Sequence, residues 1–231
     1  MKVEGLHGLD LSPSEARRLQ GELAPRVVEG PPLDLSGLRY VAGADVSTQG
    51  ERGYATVVVL SFPELVVVEV RGFEAPLTFP YVPGLLAFRE IPPLVGALDE
   101  VRSEVDVVIF DAQGIAHQRG LGLASHLGLF LDVPAVGCAK SRLVGVHEEP
   151  GLKKGSVTDL VYRKKVVGKV VRTRTGVSPV YVSVGNRIDL DSAVDLVLRC
   201  CTRYRLPETT RQAHSAANRL RRGEGPDLLP G

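Results

Sequence analysis

Three acidic residues stand in places where acidic residues are expensive. Asp45 interrupts the apolar segment Val41-Ala-Gly-Ala-Asp-Val-Ser47, and Asp111 directly follows Val107-Val-Ile-Phe110. An ionised carboxylate buried in such a setting is costly unless it is paired or bound to a metal. Glu90 comes in Phe88-Arg89-Glu90, at the start of a segment that reads as a helix leading towards the second of those runs. Taken singly, each acid could be a capping or turn residue. If the segments carrying Asp45 and Asp111 are neighbouring strands, however, the two carboxylates share one site and repel, and a divalent cation resolves the conflict. Three hard oxygen ligands around an open site suit magnesium rather than zinc. The cysteines, Cys138, Cys200 and Cys201, offer no zinc-like or redox spacing and read as small buried apolar residues.

The elements that must position these acids are legible in outline. Ser12-Pro13-Ser14-Glu15 is a helix start, with Ser at the cap, Pro at the first helical position and Glu three residues after the cap. That helix should run to about Val27. Three runs rich in Val and Tyr follow, over 39–47, 54–61 and 65–73, and the short connectors between them imply an antiparallel meander. The spacing then predicts a helix over 88–102 with Pro92 and Pro93 in its first turn, and a strand over 105–110 whose continuous apolar character fits burial on both faces. A helix over 121–131 and a strand over 134–139 come next. Residues 153–174 and 180–184 read as further strands or a ribbon, and helices over 192–204 and 208–220 close the order. Three meander strands, a helix, a strand, a helix and a strand make the order of an α/β, ribonuclease H-like fold. Its mixed five-stranded sheet is flanked by helices, with the first and fourth strands parallel and adjacent. We expect one domain over residues 1–231, with a flexible tail at 223–231. Fold alone does not give function.

A composition of 44% hydrophobic and 24% charged residues is that of a soluble globular protein, and no apolar run is long enough to span a bilayer. The start, MKVEGLHGLDLSPSEARR, lacks a basic-then-apolar signal pattern, so the expected location is the cytoplasm. The net charge of +1 hides an asymmetry. Residues 1–136 hold 10 Lys/Arg against 18 Asp/Glu, a local charge of −8, whereas residues 137–231 hold 18 against 9, a local charge of +9. Ten of those basic residues fall in 137–174 and seven in 199–222. Such a split suits an enzyme that holds metal ions in one place and phosphates in another.

Two longer stretches carry a resemblance. Pro80-Tyr-Val-Pro-Gly-Leu-Leu-Ala-Phe-Arg-Glu90 resembles the PYxPGxLxFRE motif of the bacterial endonuclease V family. Asp111-Ala-Gln-Gly-Ile-Ala-His-Gln-Arg119, continuing through Gly122-Leu-Ala-Ser-His-Leu-Gly128, resembles that family's DGQGxxHPR…GLASHLG segment. Asp45 matches its first-strand aspartate, Lys140 the lysine after the next strand, and His214 the histidine on its last helix. The resemblance runs from about residue 10 to 222.

What the resemblance implies is hydrolysis of the second phosphodiester 3′ to a deaminated base, chiefly hypoxanthine, leaving 3′-hydroxyl and 5′-phosphate ends. Asp45, Glu90 and Asp111 are then the ligands of Mg2+, for which Mn2+ may substitute, and Lys140 and His214 steady the phosphate or the water. Tyr81, Pro83, Gly84 and Leu85 form the element that enters the duplex, since an aromatic ring flanked by prolines is rigid and can replace a base in the stack. Gly84, Leu85, Ala112 and Gly122 line the pocket for the extruded base, and His117 orders the Asp111 loop beside it, with His126 structural. The partner is DNA containing deaminated bases, or inosine-containing RNA, met by a monomer with no membrane involvement. The chain departs from the family pattern twice: Ala112 stands where the family has Gly, and Gln118 where it has Pro. Both departures bear on substrate preference rather than on the metal ligands. Other ribonuclease H-like nucleases, such as a Holliday-junction resolvase or an excision-repair incision nuclease, share the carboxylates but not Pro80–Glu90. A lesion-binding module without catalysis would have lost a carboxylate, and none is lost.

Overall fold

The computed structural model describes residues 1–8 and 10–225, so the tail expected at 223–231 lies outside the described residues from 226 onward. Ser12 caps the first helix reciprocally. Its hydroxyl accepts from the Glu15 N–H at 3.3 Å and its own N–H donates to Glu15 Oε2 at 2.8 Å, ahead of α1 (Pro13–Leu23). Strands β1 (Tyr40–Gln49), β2 (Arg52–Ser61) and β3 (Val67–Pro76) form the antiparallel meander. Helix α2 (Leu86–Asp99) begins two residues before the expected Phe88, so Pro92 and Pro93 lie inside it rather than in its first turn. Neither proline has an N–H, and the carbonyls of Phe88 and Arg89 lose their intrahelical partners. Then come β4 (Val107–Phe110), α3 (Leu123–Gly128) and β5 (Ala135–Ala139), with β1, β4 and β5 mutually parallel.

These five strands, in the order β3-β2-β1-β4-β5, are the ribonuclease H-like sheet, but the sheet does not end there. β6 (Val157–Tyr162), β7 (Lys165–Val171) and β8 (Val180–Asn186) extend it to eight, in the order β3-β2-β1-β4-β5-β8-β7-β6. The expectation of five strands therefore falls three short. A two-residue hairpin loop of type I′ needs positive φ at both positions, which Asn-Gly or Asp-Gly usually signals. Here Arg163 and Lys164 take that role at φ 51° and 65°, and the pair carries no such signal in the sequence. Helices α4 (Leu190–Cys200) and α5 (Glu208–Arg221) complete the order.

Successive residues of β4 point to opposite faces of the sheet. Val107 and Ile109 pack with Val197 of α4 and Ala213 of α5, whereas Val108 and Phe110 pack with Ile91 and Leu94 of α2 and Leu127 of α3. Burial on both faces accounts for the unbroken apolar run, and each such side chain contributes about 1.5–3 kcal/mol by leaving water. Helix α5 crosses β1 at Gly43, where a Cβ would stand 2.3 Å from the Thr209 carbonyl. Only glycine permits that approach, and the approach carries His214 to β1. No helix among the described residues is long and apolar enough to cross a membrane.

Candidate active site

Parallel pairing of β1 with β4 sets Ala44 beside Phe110, so the next residues, Asp45 and Asp111, emerge side by side where β4 ends. Both are largely withdrawn from water, with side-chain exposures of 17% and 7%. Glu90 reaches the same place from α2, one helical turn after Leu86, and all three acids line one open cavity of about 530 Å³. Burial and neighbouring charge disturb two of the acids. Burial raises the Asp45 carboxyl, with the Asp111 charge adding to it and the His214 hydrogen bond opposing it. Burial pushes Glu90 up to about 8, reinforced by Asp45 and Asp111. Glu90 therefore holds a proton at neutral pH unless a cation offsets its neighbours.

Two basic side chains answer this crowding. The Lys140 ammonium, just past β5, pairs with Asp111 Oδ2. His214 Nδ1 lies 2.6 Å from Asp45 Oδ2. The Ser47 hydroxyl donates to Asn218 Oδ1 at 2.9 Å, which turns the Asn218 amide towards His214 Nε2 at 3.1 Å. That arrangement assigns the proton of His214 to Nδ1, donating to Asp45. No three His, Cys, Asp or Glu side chains among the described residues form a ready-made metal cage. The donor set still fits a hard divalent ion: three carboxylates on one cavity, two of them, Asp45 and Glu90, raised by burial and by neighbouring charge, with no thiolate beside them.

The rest of the lining comes largely from two loops. Tyr81 stands out from the first with 71% of its surface exposed, between Pro80 and Pro83. Gly84 turns this loop at φ +80°, a left-handed conformation that side chains disfavour. The Gly84 carbonyl accepts from Arg119 at 2.7 Å and from Gln20 Nε2 at 3.2 Å, and Gln20 Nε2 also donates to the Leu121 carbonyl at 2.7 Å. Arg119 closes the network through Gln20 Oε1. The second loop runs on from Asp111 and is pinned to β8, with Gly114 N–H donating to Ser183 Oγ at 2.8 Å and Ile115 N–H to the Val184 carbonyl at 2.9 Å.

Pro83, Gly84, Ala112, Gly122 and His117 all line the cavity together with Tyr81, Lys140 and His214. Leu85 does not. It is fully buried against Ala16, Phe79 and Phe88, and Leu86 takes the place on the cavity wall. His117 is buried, and desolvation with the nearby Arg119 charge lowers it to about 4, so it is neutral at pH 7. His126 is enclosed with His7, Phe88 and Phe130 away from the cavity, its Nε2 2.8 Å from that of His7. The sequence reading assigned no role to Gln20, Arg119, Gln113 or Asn218. For Gln20 a signal existed: with Ala16 and Leu23 it makes the buried stripe of α1, and a polar residue there must find partners.

Residues 21–215 match the family model described as Endonuclease V. The endonuclease V of Gloeobacter violaceus is 50% identical over 232 residues, covering 98% of this chain and 93% of that protein. The crystal structure of endonuclease V from Streptomyces avermitilis is similar with a TM-score of 0.88 at 40% identity, covering 96% of this chain and 99% of that one. Ciona intestinalis endonuclease V, solved with DNA containing an inosine followed by a ribo-adenosine, is similar with a TM-score of 0.80 at 30% identity, covering 91% and 98%.

Proposed function

The chain belongs to the endonuclease V family and is an endonuclease, and from that premise we propose that it is a metal-dependent repair enzyme for deaminated DNA. Its substrate is hypoxanthine in DNA, and it hydrolyses the second phosphodiester 3′ to the lesion, leaving 3′-hydroxyl and 5′-phosphate. It acts as a cytoplasmic monomer, one folded unit over its length. The observation that carries this reading is a single cavity lined both by three carboxylates and by the Tyr81–Gly84 loop. Reacting phosphate and extruded base can therefore be held within one site.

Asp45, Glu90 and Asp111 hold Mg2+, with Mn2+ able to replace it. The ion, when bound, polarises the phosphate and lowers the pKa of the attacking water. Lys140 neutralises Asp111 in this structure and is placed to turn its ammonium to an incoming phosphate oxygen. His214, fixed on Asp45 and backed by Asn218, orients the carboxylate and the water beside it. Tyr81 fills the gap left by the extruded base, on a loop stiffened by prolines and by the Gln20–Arg119 clamp on Gly84. Pro83, Gly84, Ala112, Gly122 and His117 enclose that base.

Labelled inosine-containing DNA and RNA, single-stranded and duplex, incubated with and without magnesium, test the reading. Cleavage of inosine DNA one nucleotide beyond the lesion's 3′ neighbour bond, only with the metal, is the expected result. Full cleavage in EDTA, or equal cutting of undamaged DNA, overturns it. The RNA arm is included because the ligand of the Ciona intestinalis relative carries a ribo-adenosine after the inosine. Faster cutting of RNA would make an inosine-directed ribonuclease the better description.

A further inference from the structure

Two amide side chains on the cavity wall carry polar atoms that the reading above does not use. Gln113 Oε1 and Gln118 Oε1 are both buried, and neither accepts a hydrogen bond from any described residue. Both side chains line the cavity shared by Tyr81, Gly84, Ala112 and Gly122. The Gln113 amide is oriented by its own Nε2, which donates to the Ser141 carbonyl at 2.8 Å and leaves Oε1 as the unmatched end. The Gln118 carboxamide lies against Gly84 next to the Arg119 guanidinium. A Cβ on Gly84 would meet Arg119 at 2.8 Å and Gln118 Oε1 at 2.9 Å.

A buried acceptor without a donor is costly, and folded proteins keep few of them. Two in one cavity ask for a ligand that brings N–H groups. Deamination creates that group. The ring N1 of adenine and N3 of cytosine are acceptors, whereas hypoxanthine carries N1–H and uracil N3–H. Carboxamide oxygens turned from their buried seats towards the cavity therefore match the deaminated base and oppose its parent, whose ring lone pair they would face.

We propose that Gln118 is a specificity-determining residue, its Oε1 accepting a hydrogen bond from the ring N–H that deamination creates, with Gln113 Oε1 as a second acceptor on the same wall. The inference rests on the reading of this cavity as the site of an extruded deaminated base. It assigns a purpose to the departure at position 118, since proline, the family's residue there, has no side-chain acceptor to offer.

The test compares duplexes carrying hypoxanthine with duplexes carrying unsubstituted purine, which has the same rings but no N1–H. Fluorescence anisotropy gives the affinity ratio between them for the parent chain, Gln118→Met and Gln118→Glu. The preference for hypoxanthine should fall about 5- to 30-fold in Gln118→Met, the range expected for one buried hydrogen bond. Gln118→Glu keeps the acceptor and should hold the preference within about three-fold of the parent. Gln118→Pro should behave as Gln118→Met does. An unchanged ratio in Gln118→Met and Gln118→Pro overturns the inference. A loss in Gln118→Glu equal to that in Gln118→Met also overturns it, because the amide would then be donating. Failure of the parent chain to cleave the hypoxanthine duplex refutes the proposed function instead, and cleavage with an unchanged ratio refutes only the role of Gln118.

Discussion

The end of the parallel strands and the antiparallel ribbon treat charge in opposite ways. At the first, Asp45, Glu90 and Asp111 are withdrawn from water, burial and neighbouring charge raise the Asp45 and Glu90 carboxyls, and Lys140 and His214 stand beside them. At the second, Lys153, Arg163, Lys164 and Lys165 are exposed on or beside β6 and β7 and hold their charges in water. An exposed charge costs little and contributes little singly, whereas a buried one obliges its neighbours to compensate. The ribbon can supply affinity for a polyanion by accumulation, and the cavity supplies chemistry through a few groups that cannot be exchanged. Residue counts alone, with +9 in residues 137–231, would have put the function in the ribbon.

The sharpest way to break this comparison is at Asp111. Asp111→Asn keeps the shape but removes the charge, and cleavage should fall by roughly a thousand-fold or more, equivalent to several kcal/mol of transition-state stabilisation. Lesion binding should persist. Single-turnover cleavage alongside a binding titration checks both, and a variant that still cuts at a tenth of the parent rate would dissolve the distinction. Tyr81→Ala comes next. Discrimination between damaged and undamaged duplex should weaken by about 1–3 kcal/mol, the usual worth of one base–aromatic stack. A single-stranded inosine substrate should suffer less, and equal discrimination by variant and parent would place the wedge elsewhere.

Burial can be probed as the deciding variable away from the cavity, at His126. Enclosure, with the His7 ring beside it, lowers His126 from the ordinary 6.5 to about 3. Between those values the unfolded chain binds a proton that the folded chain does not, so stability is full above about pH 6.5 and is lost as the pH falls towards 3. One such group gives a slope of at most about 1.4 kcal/mol per pH unit. Urea unfolding at several pH values should show that slope, flattened in His126→Asn; an unaltered pH dependence would count against it. Within the ribbon, Arg163→Ala, Lys164→Ala and Lys165→Ala combined should lower the slope of log affinity against log salt by up to about 3. Turnover at saturating substrate should stay as it was, and a loss of kcat would mean that the two regions are not separable. The smallest effect is expected at Ala112. Ala112→Gly should widen the range of deaminated bases by a few-fold, below the roughly 1–3 kcal/mol that a whole methylene in a pocket can command. Identical relative rates on hypoxanthine, xanthine and uracil would show that the methyl group touches none of them.

The residues most readable in the sequence were those whose type conflicted with their surroundings. Asp45 in an apolar strand and Asp111 at the end of another are improbable without a purpose, and the Pro80–Glu90 segment tied Glu90 to them through family resemblance. Helix starts with local chemistry, such as Ser12 to Glu15, were equally plain because a capping box involves only four consecutive residues. The Arg163–Lys164 turn was not, because its positive φ angles are imposed by the sheet around it and not by the side chains.

Chain order, the identity of the acids and the two-faced burial of β4 were thus written in local sequence. Tertiary structure alone decided which neighbours those residues would have. That Asp45 lies beside Asp111 depends on the β1–β4 register, and that His214 reaches Asp45 depends on α5 crossing β1 at Gly43. The exchange of Leu85 for Leu86 on the cavity wall, the Gln20–Arg119 clamp and the Ser47–Asn218–His214 chain have the same origin. Side-chain direction follows from backbone angles and packing across elements far apart in sequence, so spacing could nominate these residues but could not aim them.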